Sequence, residues 1–238
     1  MHKLIKLFCY ISMLSIACMG CQQNAENENK QEGKEQTQKQ ASTAENNTQQ
    51  SPKTILFFGN SLTAGYGLDP SQAFPALIQA KLDSLNLPYK VINSGLSGET
   101  TAGGKSRISW VLREKVDVFI LELGGNDGLR GIDVQSTRQN LQAIIDTVKA
   151  KNPETRIVLA GMQIPPNMGP DYTAKFRGIF SELAEKNNTA LIPFLLENVG
   201  GIPSLNLPDG IHPTPEGHKI VAENVWKVLQ PVLTEGNM

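Results

Sequence analysis

Ile55-Leu56-Phe57-Phe58-Gly59-Asn60-Ser61-Leu62-Thr63 is the stretch on which the reading of the chain turns. Four apolar residues in a row, stopped by a glycine, read as a short strand covered on both faces, since a strand with one wet face would alternate. Such a strand needs helices above and below it. The next segment supplies one: Phe74, Leu77, Ile78, Leu82 and Leu85 recur at helical spacing, and Pro75 is tolerated in a first turn. Further along, Val91-Ile92, Val118-Phe119-Ile120-Leu121, Ile157-Val158-Leu159 and Leu191-Ile192 repeat the strand pattern. Between and after them, three sets keep one helical face apolar: Leu141, Ile144, Ile145 and Val148; Tyr172, Phe176, Ile179, Phe180 and Leu183; and Val221, Val225, Val228 and Leu229. Five strands separated by helices predict an α/β fold, a five-stranded parallel sheet inside a three-layer sandwich spanning residues 53–238. No repeat and no second folded domain is expected.

The residues before this region read differently. Lys3 and Lys6 precede an apolar run from Leu7 to Met19, which has the build of a secretory signal and is short for a bilayer span. Ala17-Cys18-Met19-Gly20-Cys21 then resembles the end of a bacterial lipoprotein signal, in which a cysteine becomes the lipidated first residue. The expected anchor is Cys21, with Cys18 the alternative, which would tether the protein to a membrane outside the cytoplasm, facing the periplasm or exterior. Residues 22–52 carry almost nothing large enough to bury and are expected to form a disordered polar tether.

Composition narrows the function classes. The 238 residues carry 22 basic and 23 acidic side chains; loss of residues 1–21 would leave 20 against 23, a net charge of −3. A nucleic-acid partner, which demands a basic excess, is not expected. The three cysteines are Cys9, Cys18 and Cys21, so the folded region has no thiol chemistry and no disulfide. Its only histidines are His212 and His218.

In a parallel α/β sheet, ligands bind beyond the carboxyl ends of the strands. Four loops rich in glycine and small polar residues belong there: Gly59-Asn60-Ser61-Leu62-Thr63, Asn93-Ser94-Gly95-Leu96-Ser97-Gly98-Glu99, Gly124-Gly125-Asn126-Asp127-Gly128 and Pro208-Asp209-Gly210-Ile211-His212-Pro213. A nucleophilic serine needs a base in reach, an orienter for that base and donors for an oxyanion. Ser61 can be the nucleophile, His212 the base and Asp209 its orienter. The N–H of Ser61, the N–H of Gly98 and the side-chain amide of Asn126 can be the donors. His218, six residues beyond His212 and inside the start of a helix, reads as structural.

Taken in order, these four loops resemble the sequence blocks of the SGNH (GDSL-type) hydrolases. Glu122-Leu123-Gly124-Gly125-Asn126-Asp127-Gly128-Leu129-Arg130-Gly131 looks like the branch of arylesterases and periplasmic thioesterase/lysophospholipase-like enzymes. The resemblance implies a flavodoxin-like sheet and a Ser61–His212–Asp209 triad, with Ser61, Gly98 and Asn126 around the oxyanion and neither metal nor organic cofactor. It implies hydrolysis of aryl or acyl esters, thioesters or lysophospholipids through an acyl-enzyme. One departure stands out: the family usually has aspartate where this chain has Asn60.

Alternatives from other classes share the same residues. Gly98-Glu99-Thr100-Thr101-Ala102-Gly103-Gly104-Lys105-Ser106 has the look of a phosphate-binding loop, but the five residues from 99 to 103 are one too many between its glycines. Thr63 breaks the Gly-x-Ser-x-Gly elbow. Asp209, His212 and His218 lack further partners for a metal. A carbohydrate acetyl esterase, or a catalytically silent binding module on the same fold, stays open, as does the oligomeric state. The shape of the acyl site is expected to depend on Gln163–Met168 and on residues 194–207.

Overall fold

The computed structural model describes residues 51–234; the expected signal and the tether up to residue 50 lie outside the described residues. The chain runs β1 (Lys53–Gly59), α1 (Ser61–Ala64), α2 (Phe74–Ser84), β2 (Tyr89–Gly95), α3 (Thr101–Val111), β3 (Val118–Glu122) and α4 (Gly125–Leu129). It continues through α5 (Val134–Lys151), β4 (Arg156–Ala160), α6 (Pro170–Asn187), β5 (Ala190–Ile192) and α7 (Pro215–Thr234). Single 3₁₀ turns at Pro70–Gln72, Pro166–Met168 and Pro203–Leu205 shape the loops. All five strands are parallel, in the order β2-β1-β3-β4-β5. That is the flavodoxin-like order, and its reversal point falls between β1 and β3.

Burial explains the apolar runs. Ile55, Leu56, Phe57 and Phe58 of β1 and Val118 through Leu121 of β3 are all buried, because helices cover both faces. On one side α2 and α7 pack together; on the other α3, α5 and α6 lie side by side. Phe74, Phe119, Phe176 and Phe180 fill the layers between helices and sheet, each adding about 1.5–3 kcal/mol of burial. One expectation is corrected: Leu85 belongs to neither the buried face nor the helix. It is the C-cap of α2 and half exposed, because Asn86 takes a left-handed turn (φ 52°) and Leu87 N–H closes back on the Leu82 carbonyl at 3.0 Å.

One close approach sets the carboxyl edge of the sheet. Gly59 and Gly95 sit side by side in the β1–β2 register. A side chain at Gly95 would lie 2.3 Å from the Ala64 nitrogen, so this glycine lets α1 rest directly on the end of β2. The Asn93 amide, donating to the Thr63 carbonyl at 2.8 Å, fastens the same contact.

Candidate active site

The turn from β1 into α1 is built by Asn60. Its side-chain oxygen accepts from Leu62 N–H at 2.9 Å and caps the four-residue helix that begins at Ser61. Its backbone N–H and side-chain amide both donate to the buried carboxyl of Glu122, at 3.0 and 2.8 Å, and the Thr63 hydroxyl donates to the same group at 2.8 Å. Burial pushes Glu122 up to about 7, against the pull of those donors. Ser61 is thereby held at the carboxyl edge, 8% exposed, and among the described residues its N–H has no protein acceptor.

The loop from Leu207 to His212 closes on itself. Asn206 pairs with Pro213 as an isolated antiparallel bridge, and Leu207 N–H donates to the His212 carbonyl at 2.7 Å. Inside it, one oxygen of Asp209 accepts the N–H groups of Ile211 and His212 at 2.9 and 3.0 Å. The other lies 2.7 Å from His212 Nδ1. These bonds, the His212 N–H foremost, hold the Asp209 carboxyl down at about 2. His212 Nε2 lies 2.8 Å from Ser61 Oγ. With Nδ1–H given to Asp209, Nε2 is free to accept the serine proton. The Tyr66 ring leans on the imidazole at 4.5 Å between centroids.

Asn126, the second residue of α4, lines the cavity beside Ser61. One amide hydrogen goes to the Glu99 carbonyl at 2.9 Å, leaving the second available. Gly98 adopts φ 79° and its N–H has no protein acceptor among the described residues, but it is not among the residues that line the cavity. Asp127 turns away from the cavity and accepts from Thr101 N–H and hydroxyl, joining α4 to α3.

The cavity has a volume of about 440 Å³. Ser61, Asn126 and His212 stand along its wall; Leu129, Met162, Ile164, Phe194 and Leu196 make much of the rest. Both segments expected to shape an acyl site, Gln163–Met168 and residues 194–207, contribute to the lining of this cavity. His218 is not part of this group: it is buried in α7, where its Nδ1 accepts from Phe74 N–H at 3.1 Å. Burial, helped by His212, pulls it down to about 4. The phosphate-loop look-alike is mostly the first turns of α3, with Gly104 packed against Leu123 and Phe58.

The structure therefore gathers Ser61, Asp209 and His212 into one hydrogen-bonded row, with Asn126 lining the same cavity as Ser61 and His212, an arrangement equipped for acyl transfer. Residue-by-residue reading noted Glu122 only as the acid at the end of the third strand and did not pair it with Asn60. The available signal was an acid ending an otherwise apolar buried strand, which demands a set of partners.

Comparison with known proteins agrees with this fold. Residues 57–220 match the GDSL-like lipase/acylhydrolase family. The chain is 40% identical to Esterase TesA of Pseudomonas aeruginosa over 78% of its own length and 92% of that protein. It is 38% identical to thioesterase 1/protease 1/lysophospholipase L1 of Escherichia coli K12, over 76% of its length and 85% of the relative. Among solved structures, psychrotrophic esterase EstA from Pseudoalteromonas sp., inhibited by monoethylphosphonate, superposes with a TM-score of 0.72 at 31% identity. That match covers 76% of this chain and 99% of that one.

Proposed function

The chain belongs to the GDSL-like lipase/acylhydrolase family, and on that premise we propose that it is a serine esterase acting on carboxylic esters with an apolar acyl chain. The observation that carries the reading is the position of His212, 2.8 Å from Ser61 Oγ on one side and 2.7 Å from Asp209 on the other. Ser61 attacks the ester carbonyl as His212 takes its proton, and Asp209 stabilises the imidazolium. The negative oxygen of the tetrahedral intermediate is met by the N–H of Ser61, the N–H of Gly98 and the free amide hydrogen of Asn126. His212 then gives its proton to the leaving alcohol, and the same histidine activates the water that hydrolyses the acyl-enzyme. The phosphonate inhibition of EstA fits such a nucleophile.

The apolar walls around Met162, Ile164 and Phe194 favour an acyl chain over the acetyl group of a carbohydrate. Thioesters and lysophospholipids present the same carbonyl on the same kind of chain and fall within the proposal. The signal-like start and polar tether, read from sequence, support a lipid-anchored enzyme outside the cytoplasm.

The test is hydrolysis of p-nitrophenyl esters of increasing chain length, with Ser61→Ala alongside. The variant should lose about 10⁴–10⁶ in kcat, and the wild type should prefer chains longer than acetyl. A maximum at acetyl would turn the substrate reading toward sugar esters. Wild type and variant both folded and equally inactive would favour a silent binding module.

A further inference from the structure

Arg107 does not line the cavity, yet it ties together the elements behind it. Its Nε and Nη2 donate to the two carboxylate oxygens of Glu99 at 2.8 and 2.5 Å. Nη1 and Nη2 also donate to the hydroxyl and carbonyl of Ser94, at 2.9 and 3.0 Å. The guanidinium lies 4.2 Å from the centre of the Phe58 ring. One side chain from α3 thus grips the end of β1, the end of β2 and the loop that follows β2. The pair is largely out of water, with side-chain exposures of 21% for Arg107 and 3% for Glu99. Removing either partner would strand the other, so such a pair persists only where its geometry is well satisfied.

What the pair holds still is the segment beside the candidate oxyanion site. Glu99 directly follows Gly98, and the Glu99 carbonyl receives the Asn126 amide at 2.9 Å. The Gly98 carbonyl is met in turn by Arg130 at 3.2 Å. An asparagine amide rotates readily about its last torsion; an acceptor fixed at one hydrogen decides where the other points.

We propose that the Arg107–Glu99 pair is a positioning device for the oxyanion donors. It fixes the peptide after Gly98, and through the Glu99 carbonyl sets the plane of the Asn126 amide. The inference rests on the serine-esterase reading and adds residues that never touch the ester. Lysine cannot substitute for this arginine, because a single ammonium does not present the planar fork that spans Glu99 and Ser94 together.

The experiment is a double-mutant cycle on kcat and KM with Arg107→Lys, Asn126→Ala and their combination, each checked for folding by its melting temperature. Glu99→Gln provides a second way to weaken the pair while keeping its shape. Asn126→Ala should lower kcat about 10²–10³-fold, and Arg107→Lys about 10–10²-fold with KM within roughly twofold. The combined variant should be faster than the product of the two losses predicts, since a misplaced donor costs nothing once it is gone. Losses that multiply, or a folded Arg107→Lys and Glu99→Gln with wild-type kcat, would overturn the proposal. So would failure of both variants to fold, which would assign the pair to stability alone. A normal kcat in Asn126→Ala would sink the oxyanion reading itself, and this inference with it.

Discussion

The carboxyl group of Glu122, at the end of β3, receives both the backbone N–H and the side-chain amide of Asn60, the residue directly after β1. The two strands flank the point where the sheet order reverses, so this contact spans the place where the fold opens for a ligand. It also answers the departure at position 60. An amide there donates to Glu122, whereas an aspartate would set a second acid against a buried one.

Asn60→Asp should therefore produce a stability loss that grows with pH. At low pH one shared proton replaces the lost N–H donor; as pH rises, two adjacent carboxyls must both ionise. Melting temperatures at pH 6 and pH 9 check this: the gap between variant and wild type should widen at the higher pH, and a constant gap would refute it.

Asp209→Asn isolates the role of charge. The retained carbonyl oxygen can still accept from Ile211 and His212 N–H groups, so the loop should keep its shape. An amide facing Nδ1 instead favours the wrong imidazole tautomer, and kcat should fall by about 10³–10⁴. Steady-state kinetics with an unchanged melting temperature is the expected result.

Gly95→Ala should damage both stability and rate. The new methyl would meet the Ala64 nitrogen and the Thr63 carbonyl carbon, both backbone atoms of the helix that begins at Ser61. The strain should cost about 1–3 kcal/mol and shift the Ser61 turn. A denaturant melt and kcat on one ester would report the two effects separately.

His218→Gln should remove an acid sensitivity. In the unfolded chain this imidazole gains its proton near its ordinary value of 6.5, but in the folded protein only near 4. Between those values the unfolded state binds more protons, so this group's stability contribution is full above pH 6.5 and shrinks toward pH 4. Glu122, raised from 4.5 to about 7, acts oppositely: its contribution shrinks as pH rises through that window. The difference between wild type and variant isolates His218, and should fall as pH drops from 7 to 4.5 in melts of both proteins.

Much of this was legible in residue order alone. The apolar runs at 55–58 and 118–121, the helical spacing from Leu141 to Val148, and the four polar loops are local patterns, and local patterns follow from backbone geometry without knowledge of partners. For the same reason Ser61, Asn126, Asp209 and His212 could be named before any distance was known. Tertiary structure alone decided the strand register, how the segments around 163–166 and 194–206 close into one cavity, and the partners of Glu122 and Arg107. Sheet register brings Glu122 to Asn60, 62 residues earlier in the chain, and loop closure brings His212 to Ser61, 151 residues away. Contacts between residues so far apart leave no periodic trace in sequence. They exist only once burial has fixed which strand lies beside which.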